Sequence, residues 1–265
     1  MRVRGVLVAL AVALVCAAPA SAQLPSPGIS PPGANDWSCN PSSAHPYPVV
    51  LVHGTFGDMT VSWNLISPRL KQAGYCVFAL DYGQRGTAPI EGSAAQLRDF
   101  VDSVLAATGA RKVSLVGHSQ GGMMPRYYIK FLGGAGKVDD LIGLAPSNHG
   151  TSNPGALVLD GVGVCDSCGQ QATGSAFLTN LNAGDETPGN VAYTVVETRY
   201  DEVVIPYTSA FLSGATNVLL QSRCPLDVAE HLSIIYDAVA LRWVQNALGR
   251  PGPADPGFRP SCLPL

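Results

Sequence analysis

Apolar residues fall along this chain in two rhythms. Short, nearly continuous runs read as strands: Val49-Val50-Leu51-Val52, then residues 75–80, 112–116, 141–145, 193–196 and 217–220. Between them, apolar positions recur at helical spacing over residues 62–73, 93–108, 120–132 and 229–248, with Leu97, Val101, Val104 and Leu105 on one face of the second. Strands dense in Val and Leu, with no polar residue at every second position, are covered on both faces. This alternation predicts an α/β fold over residues 49–248, a mainly parallel sheet between two layers of helices.

On either side the pattern dissolves. Residues 23–48 and 249–265 are Pro-rich, with seven prolines between Leu24 and Pro48 and five after Gly249, so neither segment holds a course by its own core. Residues 1–22 read as a signal peptide: Arg2 and Arg4, an apolar run from Val6 to Ala18, then the small residues Ala20-Ser21-Ala22 before Gln23. The run is too short to cross about 30 Å of hydrocarbon, so secretion with cleavage near Ala22–Gln23 is expected rather than stable membrane insertion.

Export changes the meaning of the cysteines. Cys16 falls in the leader, and Cys39, Cys76, Cys165, Cys168, Cys224 and Cys262 remain, an even set that reads as three disulfides. The expected pairing is Cys39–Cys76, Cys165–Cys168 and Cys224–Cys262, the first and last tying the Pro-rich segments to the body. Cys165-Asp166-Ser167-Cys168 has the spacing of a redox or zinc motif, yet no second ligand pair accompanies it, so a short disulfide loop is expected and no metal.

Composition narrows the function classes. At 46% apolar the chain can bury a sizeable core, and at 13% charged it holds roughly half the ~25% usual in soluble domains. The net charge is −3, or about −5 once Arg2 and Arg4 are removed, and no Lys/Arg cluster is present to neutralise phosphates. Nucleic acid is excluded as a partner on that ground. The negative balance also weakens attraction to anionic bilayers and suits a neutral ester or lipid droplet.

Gly117-His118-Ser119-Gln120-Gly121 fits the pattern Gly-x-Ser-x-Gly, between the strand ending at Val116 and the helix starting near Gln120. So tight a strand-to-helix turn demands small neighbours, which Gly117, Gly121 and Gly122 supply. It lifts the Ser119 hydroxyl above the sheet, beside a helix N-terminus that favours developing negative charge. Ser119 is the candidate nucleophile. A serine needs a base to take its proton. His118 lies inside the turn, His45 in the Pro-rich segment, and His53 beside the first strand, where a positioning role fits. His231 follows the last strand at the start of the closing helix, where the order serine–acid–histidine places the base; His149 is the alternative. The acid belongs after the strand 193–196: Asp201 is the choice, with Glu197 and Glu202 as alternatives. Asp227 reads as a surface or capping residue and Asp237 as locally paired.

Acyl transfer also needs donors for the tetrahedral oxyanion, each contributing about 3 kcal/mol of transition-state stabilisation. The Gln120 N–H, next after the nucleophile, supplies one. The turn His53-Gly54-Thr55-Phe56-Gly57 offers the Thr55 N–H as the second, with its hydroxyl as a further donor.

Together these residues resemble a known family. The chain looks like secreted bacterial lipases of the class 2 lipase family, within the α/β-hydrolase superfamily. The likeness runs over residues 47–244 and rests on the segments 49–57, 117–122, 145–151 and 181–189 and on His231-Leu232. The resemblance implies hydrolysis of carboxylic esters, commonly triacylglycerols, by Ser119, Asp201 and His231, with Thr55 and Gln120 lining the oxyanion hole and no cofactor. A monomer is expected. Residues 146–190 separate two strands by more than a plain crossover needs; with Leu157-Val158-Leu159 and a short helix around 177–181 they suit an acyl-pocket wall or lid. A cutinase-like polyester hydrolase or an acyltransferase would use the same triad. A secreted binding protein would need none of it, and a metallohydrolase would need a ligand run that is absent from the sequence.

Overall fold

Among the described residues six strands form one sheet: β1 (Val49–Val52), β2 (Val77–Leu80), β3 (Val113–His118), β4 (Val138–Leu144), β5 (Ala192–Glu197) and β6 (Thr216–Leu219). They lie in the order β2-β1-β3-β4-β5-β6, and every neighbouring pair is parallel. This computed structural model describes residues 28–264, so the expected leader and its cleavage point lie outside the described residues. The helices that matter for the site are α1 (Ile66–Gln72), α2 (Ile90–Thr108), α3 (Gln120–Phe131), α4 (Pro154–Gly161), α5 (Asp166–Gln170), α6 (Ala176–Asn182) and α7 (Ala238–Leu248).

The apolar strand runs exist because each face of the sheet has its own core. In β1, Val49 and Leu51 join a cluster with Ile66 and Leu70 of α1 and with Trp243 and Val244 of α7. Val50 and Val52 point the other way, into a cluster with Leu97 and Val101 of α2, Met123 and Tyr128 of α3 and Leu178 of α6. Alternate residues of one strand therefore feed opposite layers. At about 1.5–3 kcal/mol for each large side chain taken from water, neither layer can be dispensed with.

Two helix boundaries differ from the sequence reading. The segment 62–73 is not one helix: a single turn at Met59–Ser62 is followed by a break at Trp63, and α1 begins at Ile66. Pro68 sits in the first turn of α1, where its missing N–H costs nothing; in a continuous helix its ring would clash with the preceding turn. The closing helix starts at Ala238, not near residue 229. Asp237 is extended (φ −84°, ψ 136°) and its side chain accepts the Ala240 N–H, a strong N-cap. His231 therefore lies in a loop ahead of a short 3₁₀ turn (Ser233–Tyr236), not on the helix.

The Pro-rich segments are held by specific contacts. Asn35 pairs with the exposed edge of β2, its Nδ2 donating to the Ala79 carbonyl and its Oδ1 accepting the Ala79 N–H, both at 2.9 Å. Trp37 packs on Phe78, and the Cys39–Cys76 disulfide closes the segment. At the other end Phe258 packs edge-on against Trp243 and Cys224–Cys262 anchors the tail. With Cys165–Cys168, the three bonds are those expected from the sequence.

Candidate active site

Ser119 stands at the junction of β3 and α3 with φ 55° and ψ −124°, a conformation that side chains other than glycine rarely adopt. The neighbouring glycines make the turn feasible. A Cβ on Gly117 would lie 1.8 Å from the Gly121 carbonyl oxygen, and one on Gly121 would lie 2.1 Å from that of Val52. No side chain fits at either place, so the backbone closes in and presents the hydroxyl over the end of the sheet.

The three principal candidates meet there. His231 Nε2 is 3.0 Å from Ser119 Oγ, and His231 Nδ1 is 2.7 Å from Asp201 Oδ2. A carboxylate can only accept, so Nδ1 carries the hydrogen and Nε2 is left to accept from the serine hydroxyl. The other oxygen of Asp201 accepts the N–H groups of Val203 and Val204 at 2.8 and 2.7 Å. All three side chains are nearly buried.

A loop residue needs external support to hold such geometry, and His231 has it. Its carbonyl accepts from His118 Nε2 at 2.8 Å. Burial pushes the His118 imidazole down to about 3, with a further push from His231 beside it, so His118 is a neutral donor. Thr198, just after β5, donates through Oγ1 to the Ala229 carbonyl at 2.6 Å, and Gln221 Nε2 donates back to that hydroxyl and to the Asp227 carbonyl. These bonds tie the loop carrying the histidine to the loop carrying the acid. Residue type and spacing alone did not mark Thr198 or Gln221, because their partners lie elsewhere along the chain.

The alternatives have other places. His149 pairs with Glu186 at 2.7 Å, and the His45 ring packs at a tilt against Tyr75. His53 is buried, donating through Nδ1 to the Gly54 carbonyl at 2.8 Å and stacked on Tyr82. Burial holds its imidazole below the usual range. Glu202 sits at the back of the site, its Oε2 3.5 Å from the His231 N–H. Asp227 accepts the Ala229 N–H, a local turn bond. Glu197 ends β5, fully buried near Asp201.

Thr55 and Gln120 flank Ser119. Among the described residues neither backbone N–H donates to a protein acceptor. Their side chains are braced: Gln120 Nε2 donates to the Gly86 carbonyl and its Oε1 accepts from the Tyr82 hydroxyl. Thr55 Oγ1 accepts from Gln171 Nε2 at 3.0 Å, and Ser147 Oγ donates to Gln171 Oε1 at 2.8 Å. With its lone pair engaged, the Thr55 hydroxyl keeps its own hydrogen for the cavity. Gln171 was not singled out in the sequence; it caps α5, directly after the Cys165–Cys168 loop.

Ser119 opens into a cavity of about 410 Å³ whose walls include Phe56, Leu159, Val203, Val204 and Leu232. Leu159 belongs to α4, inside the long segment 146–190, so that segment does wall the cavity. On the outer side of α4 and just beyond it, Leu157, Val158, Val162 and Val164 are more than half exposed. Among the described residues no group of three His, Cys, Asp or Glu side chains is placed to hold a metal ion, and no helix is long and apolar enough to cross a membrane.

A family profile described as lipase (class 2) matches residues 46–244. A triacylglycerol lipase of Pseudarthrobacter phenanthrenivorans is 42% identical over 88 residues, 31% of this chain and 27% of the relative, so the chain spans about a quarter of that protein. Lipase B of Pseudozyma antarctica is 30% identical over 279 residues, covering 95% of this chain and 79% of the relative. Among solved structures, Aspergillus fumigatus lipase B superposes with a TM-score of 0.73 at 24% identity, over 86% of this chain and 57% of that one. The mature form of the Bacillus licheniformis lipase BlEst2 gives 0.59 at 20% identity, over 74% of this chain and 89% of that one. The chain thus belongs to the class 2 lipase family, built on the α/β-hydrolase fold.

Proposed function

We propose that this protein is a secreted serine ester hydrolase that cleaves acyl esters of neutral lipids, through an acyl-enzyme on Ser119. The observation that carries this reading is the continuous relay from Asp201 through His231 to a serine hydroxyl that lines a largely apolar cavity. His231 Nε2 takes the serine proton as Oγ attacks the ester carbonyl, and Asp201 stabilises the imidazolium that forms. The free N–H groups of Thr55 and Gln120, with the Thr55 hydroxyl, receive the oxyanion, aided by the N-terminus of α3. His231 then protonates the departing alcohol, and the acyl-enzyme is hydrolysed by a water that the same imidazole activates.

The substrate class follows from the walls. Phe56, Leu159, Val203, Val204 and Leu232 offer an acyl chain an apolar wall, alongside the polar lining residues Ser147, Thr151, Asn153 and Gln171. Three disulfides and a leader ending near Ala22 support action outside the cell, where such bonds persist. A fluorophosphonate probe tests the nucleophile: it should label the parent protein at Ser119 and leave Ser119→Ala unlabelled. Nitrophenyl esters of increasing chain length and an emulsified triacylglycerol test the substrate. Activity confined to the acetate ester would remove the acyl-lipid assignment, and absence of labelling would remove the hydrolase.

A further inference from the structure

Glu197 closes β5, is fully buried, and has no part in the chemistry above. Its Oε1 accepts the Thr198 N–H at 2.7 Å. Its Oε2 is sealed from solvent, and no donor among the described residues reaches it. Asp201, four residues on, is close enough for its charge to bear on that carboxyl. Two ionised carboxylates could share no hydrogen bond, because both only accept; a bond between them requires that one carry a hydrogen.

The inventory of donors decides which one. Asp201 receives three N–H groups, from His231 Nδ1, Val203 and Val204, a set that satisfies a carboxylate and leaves an acid's hydroxyl no room. Glu197 receives one, in a place without water. Burial, and then the neighbouring Asp201, hold its carboxyl well above the usual range. Asp201 is the only charged group bearing on it among the described residues. The flanking strands add none: Leu219 lies opposite Glu197 on β6, and on the β4 side Leu144 stands opposite the preceding Val196.

We propose that Glu197 is an un-ionised carboxylic acid whose hydroxyl donates to the Asp201 carboxylate, making it a positioning residue for the Asp201–His231 pair. The assignment rests on the reading of Ser119, His231 and Asp201 as a catalytic set. A fourth donor holds the Asp201 carboxylate in the one orientation that faces the imidazole. It also spreads the carboxylate's charge, moderating how tightly the imidazolium is held once formed.

Two substitutions separate this from a filler role. Glu197→Gln keeps a donor and a matching shape, so kcat should stay within about threefold of the parent, with the acid limb of the kcat/KM profile in place. Glu197→Leu removes the donor, leaving a more basic carboxylate; kcat should fall roughly tenfold and the acid limb move upward. If Glu197 were instead ionised, Glu197→Gln would delete an anion near His231 and move the acid limb down by about one pH unit, which overturns the proposal. So would Leu and Gln variants that behave alike. Infrared difference spectra of parent minus Glu197→Gln at neutral pH give a readout independent of turnover. The carbonyl stretch of an un-ionised carboxylic acid should be present in the parent and lost in the variant; no such difference also overturns it. That measurement stands even if Glu197→Leu does not fold. Fluorophosphonate labelling of the parent reports separately on the hydrolase reading, so the failure of one is not mistaken for the failure of the other.

Discussion

Asparagine at position 201 would be nearly the same shape as the aspartate and would still disable the site, for a reason visible in the hydrogen bonds. Asp201 Oδ1 is pinned by two backbone N–H groups, from Val203 and Val204, at 2.8 and 2.7 Å. In Asp201→Asn only the amide oxygen can accept those bonds, so the amide NH₂ must face His231 Nδ1, where Oδ2 now lies at 2.7 Å. Nδ1 then has to accept, the ring hydrogen moves to Nε2, and Nε2 offers Ser119 a donor where the reaction needs an acceptor. Loss of the correct tautomer in a serine triad costs about 10⁴ in turnover, equivalent to roughly 5 kcal/mol of barrier. The fold should be little affected, since both backbone bonds survive. Steady-state hydrolysis of a soluble nitrophenyl ester measures the first effect and a thermal melt the second. If Asp201→Asn keeps kcat within tenfold of the parent, the imidazole is not oriented by this carboxyl and the argument from the Val203 and Val204 bonds is wrong.

Three further outcomes follow from neighbouring features. Gln171→Leu removes the donor that engages Thr55 Oγ1, so kcat should drop roughly tenfold with KM little changed, as expected when a bond serves the transition state alone; a change in KM alone would show that Gln171 only shapes the cavity. Asp140, at the far end of β4, accepts from Ser114 and is pushed by burial from 3.8 up to about 7. The folded state therefore binds its proton more tightly than the unfolded chain, and its contribution is complete below 3.8 and lost as pH rises to about 7. Relative to Asp140→Asn, the parent should lose roughly 4 kcal/mol across that window in denaturant unfolding, and a constant difference would contradict the burial argument. Replacing Leu157 and Val158 with serine should lower activity on emulsified triacylglycerol more than on a soluble ester, because both side chains face outward from the helix that walls the cavity; equal losses would place them in the fold rather than at the lipid.

What could be read from the sequence was whatever residue type and local order determine by themselves. A strand buried on both faces must be apolar at every position, so β1 shows its layer in four letters. The bend at Ser119 excludes any Cβ at Gly117 and Gly121, so the turn is written in glycine. Chain order then leaves few choices for base and acid. The limits appear where a group is defined by a partner far along the chain. Gln171 matters because it reaches Thr55, 116 residues earlier, and His118 because its ring finds the backbone of residue 231. No local pattern distinguishes that glutamine from any other. The boundary at Ala238 was hidden for a related reason: Ala229, Ile234 and Ile235 are buried as a helix face would be, yet a loop and a 3₁₀ turn bury them equally well. Burial periodicity reports which side chains leave water, not which backbone carries them. The difference matters for function, because a histidine in a loop depends on braces that a helix would have supplied. Those braces, from His118, Thr198 and Gln221, are buried polar side chains bonded to backbone carbonyls, and the neutral acid inferred at Glu197 would support Asp201 in the same way. Buried polar residues with no evident local partner are therefore where the supports of such a site should be sought.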